Sequence, residues 1–280
     1  MMDENKTVGR LTLVGTPIGN LSDFSPRALE ALRACDFIAA EDTRVTLKLL
    51  NHFGITKPLV SYFEHNKRER GEVICARLLA GENAVLVTDA GMPAISDPGE
   101  ELVDQCHERG IPVGVVPGPT AMATALAVAG LPTGRFAFEG FLSMNKRSRR
   151  AHLDSLRGEP RTMVFYEAPH KLLSTLEDLL STLGDRRIAL VRELTKIHEE
   201  VVRTTLSEAV SQYTQTPPRG EFVLVVEGAA PTEQPPMTVE AAETLAREYL
   251  AEGMSPSEAA KTAAAETGLK KGDIYRRIIE

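Results

Sequence analysis

The residues of this chain best suited to chemistry stand in short loops rich in glycine, proline and charge. One loop, Thr88–Pro93, follows the apolar run Ala84–Val87 and carries the carboxylate of Asp89. A carboxylate in a non-helical loop after a strand has no local capping role, so Asp89 is predicted to contact a polar ligand. The next turn, Ser96–Pro98, is predicted only to begin a helix, with Asp97 as part of its cap.

Further loops gather acidic, amide and basic groups. Glu41–Arg44 reads Glu-Asp-Thr-Arg, and Glu64–Lys67 reads Glu-His-Asn-Lys. Each set can supply a general base or orient a substrate hydroxyl, and each can equally be self-neutralising surface. Pro117–Ala121 either lets a ligand approach the backbone or is simply a rigid turn.

Several common motifs are absent from the sequence. The loop Gly15–Asn20 lacks the Gly-x-Gly-x-x-Gly spacing of dinucleotide-binding folds, and no Gly-x4-Gly-Lys-Ser/Thr motif occurs. The six histidines are scattered without metal-ligand spacing, so no metal site is predicted. Cys35, Cys75 and Cys106 form no Cys-x-x-Cys pair, which predicts small buried side chains in a reducing cytoplasm.

Composition indicates a soluble globular protein with one unusual run of charge. The 280 residues carry a net charge of −7, which argues against indiscriminate nucleic-acid binding. Residues 146–150 nevertheless place four cations in five positions, either as a solvated face or as a contact for an anionic partner such as a phosphate backbone. No apolar run reaches the roughly 20 residues that span a bilayer, and the polar N-terminus is no signal peptide, so a cytoplasmic location is predicted.

The order of apolar and polar segments predicts an α/β fold. Residues 1–122 alternate strands and helices, which predicts a mostly parallel sheet with its strand-end loops on one edge. Residues 123–230 predict a second α/β domain with a mixed sheet, because Val-rich segments follow one another without a long helix. Residues 231–237 read as a Pro-rich linker, and residues 238–280 as three short helices resembling a helix-turn-helix. The last strands predicted in the second domain are Arg187–Leu194, Glu200–Leu206 and Glu221–Glu227.

Taken together, the loops form an ordered series of motifs from about Leu11 to Gly228. These motifs are LVGTPIGNLSD (13–23), AAEDTR (39–44), EHN (64–66), VTDAGMPAISDPG (87–99), VPGPTA (116–121), FYEAPHK (165–171), RELTKIHEE (192–200) and GEFVLVVEG (220–228). The series closely resembles the 16S ribosomal RNA (cytidine-2′-O-)-methyltransferase family, within the tetrapyrrole methylase (class III) superfamily.

The resemblance implies a fold, a cofactor and a substrate. It implies a two-domain tetrapyrrole-methylase-like fold, a homodimer, and S-adenosylmethionine bound in the cleft between the two α/β domains. The implied reaction is methylation of the ribose 2′-hydroxyl of a decoding-site cytidine in the 16S RNA of the 30S subunit. The implied cofactor contacts are Pro17, Asp89, Gly91, Met92, Thr120, Ala121, Tyr166 and Ala168.

A ribose hydroxyl is a poor nucleophile at neutral pH, so a base or a strong hydrogen-bond acceptor is needed. Asp42 and Glu41 are the predicted candidates, with Arg44 holding a phosphate beside the target. The expected RNA contacts are the C-terminal helices and the side chains of Lys146, Arg147, Arg149 and Arg150. Which carboxylate is the base stays open, as does the choice between free RNA and assembled subunit as substrate.

Two other functions are compatible with these residues. One is a small-molecule methylase of the same superfamily that acts on a tetrapyrrole or corrin, for which the cations at 146–150 have no role. The other is a non-catalytic RNA-binding protein that uses the C-terminal helices.

Overall fold

The computed structural model describes residues 7–230 and 238–279, which fall into two units that divide after Ala229. The predicted linker, residues 231–237, lies outside the described residues. The first unit holds two five-stranded sheets, and the second holds three helices.

The first sheet is parallel, as predicted, with strand order β3-β2-β4-β1-β5. Every residue of β2 and β4 is buried, so both faces of the sheet are covered by apolar side chains. The strands are β1 Leu11–Val14, β2 Phe37–Ala40, β3 Leu59–Ser61, β4 Ala84–Val87 and β5 Val113–Val116. The helices between them are α1 Pro26–Ala34, α2 Thr43–His52, α3 Lys67–Leu79 and α4 Glu100–Glu108.

Helix α1 begins as its sequence indicates, with Ser25 accepting a hydrogen bond from the Ala28 amide at 3.2 Å. Helix α4 begins later than its sequence indicates. The prediction that Ser96–Pro98 begins this helix, with Asp97 in its cap, is wrong, because α4 starts at Glu100. Ser96 has a φ of 62°, which is left-handed, whereas a serine that caps a helix typically has extended backbone, as Ser25 does. Asp97 therefore lies in an irregular loop.

The second sheet is mixed, as predicted, with strand order β6-β7-β10-β8-β9. Only the β6–β7 pair is parallel among the neighbouring strands of this sheet in the described chain. The strands are β6 Phe136–Phe141, β7 Thr162–Glu167, β8 Arg187–Arg192, β9 Glu200–Thr205 and β10 Phe222–Val226. The helices of this half are α5 Ala121–Val128, α6 Lys146–Ser155, α7 Leu172–Leu183 and α8 Leu206–Gln215.

Two features of this half differ from the sequence reading. The sequence does not predict helix α8, which is capped by Thr205 and buries Leu206, Ala209 and Tyr213. The predicted domain boundary after residue 122 falls inside α5, whose residues pack with β7 and β10 in one apolar cluster. Helix α5 therefore belongs structurally to the second half.

The second unit contains the three predicted helices, which are α9 Val239–Ala251, α10 Pro256–Thr267 and α11 Lys271–Ile279. Its core consists of small side chains such as Ala242, Ala246 and Ala263, packed against Ile274. Ser255 and Glu258 form a reciprocal capping box at the start of α10.

Two further observations concern the cysteines and membranes. Cys35, Cys75 and Cys106 are buried free thiols, so their predicted burial is confirmed. Across residues 7–230 and 238–279, no helix is both long enough and apolar enough to cross a membrane.

Candidate functional site

A cavity of about 530 Å³ opens where loops after the strands of the first sheet meet one edge of the second sheet. We call it the central cavity. The loops of the first sheet and helix α5 contribute its first wall, which consists of Ile18, Glu41, Thr88, Asp89, Ala90, Gly91, Met92, Ile95, Ser96, Asp97, Thr120 and Ala121. The second wall consists of Phe141, Tyr166, Glu167, Ala168, Val191, Glu193, Leu194, Lys196, Glu221, Phe222 and Val223.

Hydrogen bonds between loops give the first wall its shape. Thr16 and Gly91 exchange two backbone hydrogen bonds, of 2.8 and 3.2 Å, which join the loops after β1 and β4. Glu41 Oε2 accepts from the Thr88 hydroxyl at 3.0 Å and from the Asp89 amide at 3.3 Å. The ends of β2 and β4 are thus tied together by a carboxylate that itself faces the cavity.

Two carboxyl groups of the first wall, those of Asp89 and Asp97, have raised pKa values. Burial, together with the neighbouring charge of Glu41, raises the pKa of Asp97 to about 6. The pKa of Asp89 is also raised, first by the partial burial of its carboxylate and then by Glu41. Carboxylates crowded in this way favour a positively charged ligand, which would relieve their repulsion.

Asp42 and Arg44 lie just outside the residues that line the cavity. Asp42 caps α2, and its carboxylate accepts from Arg44 Nη2 at 2.6 Å. Hydrogen bonds from the Arg44 side chain and amide lower the pKa of Asp42 to about 2. Arg44 itself is 86% exposed. Such a carboxylate is a weak base, whereas Glu41 lines the cavity directly.

Tyr166 anchors the second wall. Its hydroxyl accepts a hydrogen bond from the Met122 amide at 3.0 Å, and its ring packs edge-on against Phe138 and Phe141. Next to it, the buried Glu167 accepts a hydrogen bond from the Thr175 hydroxyl. The wall thus combines aromatic surface with fixed polar groups.

The cavity brings together most of the predicted cofactor residues. Asp89, Gly91, Met92, Thr120, Ala121, Tyr166 and Ala168 line it, and Pro17 does not. Their role in cofactor binding stays a prediction. Glu64 and Lys67 lie instead in a separate shallow depression beside His107. Four further residues of the cavity are not among those that the sequence predicts for the site, namely Asp97, Glu193, Lys196 and Glu221. The last three stand within two motifs of the ordered series.

The basic run at 146–150 forms the first turns of α6, and its members differ in environment. Asn145 begins α6 by accepting from the Arg147 and Ser148 amides. Arg149 is only 15% exposed and donates to Asp178 at 2.6 Å. The side chain of Arg150 is 82% exposed, 3.7 Å from Asp154. Lys146 and Arg147 are exposed and form no ion pair with any described residue.

The part of the chain that the structure describes holds no group of three or more His, Cys, Asp or Glu side chains arranged to bind a metal ion.

Comparison with known proteins then assigns the family. The family described as Tetrapyrrole (Corrin/Porphyrin) Methylases matches residues 10–210. This chain belongs to that family. The RsmI C-terminal HTH domain matches residues 236–280, so the helix-turn-helix resemblance of the C-terminal segment is shared with a known domain. Membership makes the chain a methyltransferase dependent on S-adenosylmethionine, and the expected cofactor is confirmed.

Relatives and a solved structure refine this assignment. A Synechocystis protein named ribosomal RNA small subunit methyltransferase I is 49% identical, over 98% of each chain. The protein of the same name from Escherichia coli O157:H7 is 45% identical, over 97% of this chain and 95% of its own. The chain is a member of this group, so the predicted family is confirmed. The uroporphyrin-III C-methyl transferase of Thermus thermophilus, solved with S-adenyl homocysteine, shares the fold with a TM-score of 0.53 and 22% identity, over 77% of this chain and 97% of its own.

The effect of Glu41 on the pKa of Asp97 can be tested directly. Glu41→Gln removes a negative charge beside Asp97, so the pKa of Asp97 is expected to fall from about 6 toward the ordinary carboxyl value. Carboxyl-carbon NMR shifts, followed from pH 3 to 8 in the ligand-free protein, measure this directly. Since the folded state favours protonated Asp97, the group stabilises the fold below about pH 4, and this contribution is lost as the pH rises through 6.

The matched control is Glu69→Gln, an exposed acid in the first turn of α3, which is expected to leave the titration of Asp97 unchanged. An Asp97 pKa that is the same with and without the Glu41 charge contradicts this account.

Proposed function

We propose that this chain transfers a methyl group from S-adenosylmethionine to the ribose 2′-hydroxyl of a decoding-site cytidine in the 16S ribosomal RNA of the 30S subunit. The observation that carries the proposal is an acidic cavity at the strand ends of a chain 49% identical to a ribosomal RNA small subunit methyltransferase. The charge of the cavity matches the donor, and the relatives match the substrate class.

The central cavity fits a cation of cofactor size. Its volume of about 530 Å³ lies within the roughly 300–1,000 Å³ of small-molecule sites. Six of its described side chains are carboxylates and one is an ammonium. When bound, S-adenosylmethionine supplies a methyl group already activated by a positively charged sulfur. Asp89 would face this charge, while Gly91, Met92, Thr120, Ala121, Tyr166 and Ala168 would enclose the rest, with Pro17 at the margin.

Removal of the hydroxyl proton falls to a carboxylate of the first wall. A pKa of about 6 lets Asp97 be ionised at neutral pH yet still accept a proton, as a general base requires. Glu41 supports it by keeping that pKa high and by orienting the Thr88 hydroxyl. Asp42 serves better as the partner of Arg44, whose exposed guanidinium is available for a neighbouring phosphate.

RNA phosphates are held outside the cavity, because its carboxylates repel them. Lys146, Arg147 and Arg150 are the exposed cations of the basic run, while Arg149 is bonded to Asp178 within the protein. The first turn of α6 adds the positive end of its dipole to the same surface. This surface is the proposed clamp for the RNA backbone.

The C-terminal helices are proposed to make further RNA contacts. All three arginines of the second unit, Arg247, Arg276 and Arg277, are paired with acidic side chains. Lys261, Lys270 and Lys271 are exposed and form no ion pair within residues 238–279, so they are the cations available to phosphate.

A homodimer acting in the cytoplasm, where ribosomal RNA is found, completes the proposal. Support for the dimer comes from β5, an edge strand of the first sheet that exposes Val113 and Val115. Apolar side chains along an unpaired edge favour association.

The two alternative functions have less support. The support for tetrapyrrole methylation comes from structures that share the fold at about 20% sequence identity. Ribosomal RNA methyltransferases are 45–49% identical over nearly the whole chain. A purely RNA-binding role leaves the central cavity without a purpose.

The proposed reaction has a direct test. Primer extension at low deoxynucleotide concentration stops at 2′-O-methylated ribose. A strain lacking the gene for this chain is expected to lose one stop at a decoding-site cytidine of 16S RNA, and a plasmid copy is expected to restore it. A stop that persists in the deletion strain contradicts the proposal.

Asp89 provides a test of the cofactor site. Asp89→Asn is expected to weaken S-adenosylmethionine binding about tenfold to a hundredfold, because a hydrogen-bonded charge contact contributes roughly 1.5–3 kcal/mol. Calorimetry measures the affinity, and circular dichroism checks the fold. Asp104→Asn, an exposed acid on α4 outside the cavity, is the control and should bind normally. Equal affinity in both variants removes Asp89 from the site.

The basic run provides a test of the RNA surface. The triple variant Lys146→Ala, Arg147→Ala and Arg150→Ala is expected to bind RNA with a weaker dependence on salt. The negative slope of log affinity against log salt should become shallower by about 2, since each contact with single-stranded RNA contributes about 0.7. Arg149→Ala should instead lower the free energy of unfolding by about 1–3 kcal/mol, because Asp178 and Thr175 lose a partner. A normal salt slope in the triple variant contradicts this assignment.

A further inference from the structure

The segment between β8 and β9, Glu193–Glu199, belongs to a motif for which the reaction above has no role. Glu193, Leu194 and Lys196 line the second wall of the central cavity. Beyond them the segment turns outward, so that Ile197 is 93% exposed. The segment thus brings a charged side chain to the cavity from the half opposite Asp97.

The backbone of this segment is strained and firmly held. Glu193 and Thr195 have φ values of 52° and 63°, a conformation that costs a non-glycine residue about 1–3 kcal/mol. The turn is closed by the Lys196 amide donating to the Glu193 carbonyl at 3.0 Å and by the Thr195 amide donating to Glu199 Oε2 at 2.6 Å. Strain of this kind persists only where surrounding structure imposes it, and it is concentrated at functional sites.

Contact with the loop after β1 adds to this constraint. A Cβ on Gly19 would lie 2.6 Å from Lys196 Cγ and 2.9 Å from Thr195 Oγ1. Only glycine lets the two loops approach so closely. Lys196 is therefore located by packing along its stem as well as by its own backbone.

The Lys196 ammonium is oriented by two carboxylates. Nζ donates to Glu193 Oε1 at 3.0 Å and to Glu221 Oε2 at 2.9 Å. An ammonium has three N–H donors, so one is left for a ligand. Burial lowers the pKa of Lys196, but the bonds to Glu221 and Glu193 outweigh this and raise it. At neutral pH the group is accordingly a hydrogen-bond donor and not a base.

Charge determines which ligand atom suits this donor. Lys196 is the one cation among the described residues that line the cavity, and its two partners leave the trio with a net charge of −1. A phosphate bound here would be repelled by Glu193 and Glu221. A neutral hydroxyl avoids that repulsion and still gains a charge-assisted hydrogen bond.

We propose that Lys196 is a catalytic residue whose free N–H donates to the 2′-oxygen of the target ribose. The inference rests on the proposed function, because it needs a hydroxyl substrate. The hydroxyl proton passes to a carboxylate of the first wall, and the ammonium stabilises the negative charge that develops on the oxygen as this proton leaves, as an oxyanion-hole donor does. That charge is consumed as the oxygen–methyl bond forms, while the methyl–sulfur bond breaks and its electron pair stays on sulfur.

The test compares Lys196→Met with wild-type protein on 30S subunits from the deletion strain. At saturating cofactor and subunits, single-turnover methylation is expected to fall about 10²- to 10³-fold, the usual effect of removing one such donor. The dissociation constant of the subunits should change less than threefold, and that of S-adenosylmethionine should not rise, because the variant makes the cavity more negative. Lys48→Met, an exposed lysine of α2 with no described ion pair, is the control and should methylate at the wild-type rate.

Two results overturn the inference. One is a Lys196→Met rate equal to wild type, and the other is a loss confined to subunit affinity, which identifies a phosphate contact instead. If Lys196→Met unfolds because Glu193 and Glu221 repel each other, Lys196→Met with Glu221→Gln removes that repulsion and must show the same loss of rate. If wild-type protein leaves the subunits unmethylated at the 2′-oxygen, the proposed function itself fails, independently of Lys196.

Discussion

The constraint on which the rest of the structure depends is the crowding of three carboxylates, those of Glu41, Asp89 and Asp97, on the first wall of the central cavity. Ionised groups that lose water and face like charges are unstable, and the raised pKa of Asp97 and of Asp89 reports that cost. A protein whose cavity held only neutral ligands would gain nothing from this arrangement. A cationic ligand offsets this repulsion, and S-adenosylmethionine, with its positively charged sulfur, is such a ligand.

The strained backbone of the described chain lies in two loops that line the same cavity. In the described chain, the non-glycine residues with left-handed φ are Ala94, Ser96, Glu193 and Thr195. The first two lie in the loop that brings Asp97 to the first wall, and the other two lie in the loop that brings Lys196 to the second. Neither loop would adopt these conformations alone. The carboxylate on one side and the ammonium on the other are therefore located by tertiary contacts, which limits how far each moves when a ligand binds.

The sequence predicts most of the fold because its patterns are local. The continuous apolar runs of β2 and β4 indicate strands buried on both faces, and Ser25 marks the start of α1. The errors occur where local pattern and tertiary structure disagree. Ser96–Pro98 has the composition of a helix start, but the strained loop delays α4 to Glu100. Helix α8 is short and largely polar, so its sequence resembles that of a connecting loop. It is recognised as a helix only in the folded structure, where one of its faces is buried against the second sheet.

The site is harder to predict, because it joins residues that only the strand pairing brings together. Antiparallel pairing places Phe222 opposite Arg192, and so Glu221 beside Glu193, 28 residues earlier in the chain. No local spacing predicts that contact. The basic run shows the same limit. Arg149 and Arg150 stand four and three residues before the buried Leu153, so helical spacing alone places both on its face of α6. Arg149 is only 15% exposed because it is bonded to Asp178 of α7, whereas Arg150 is 82% exposed. A contact with a helix 29 residues later in the chain thus decides which of the two cations is free, and no local spacing predicts it.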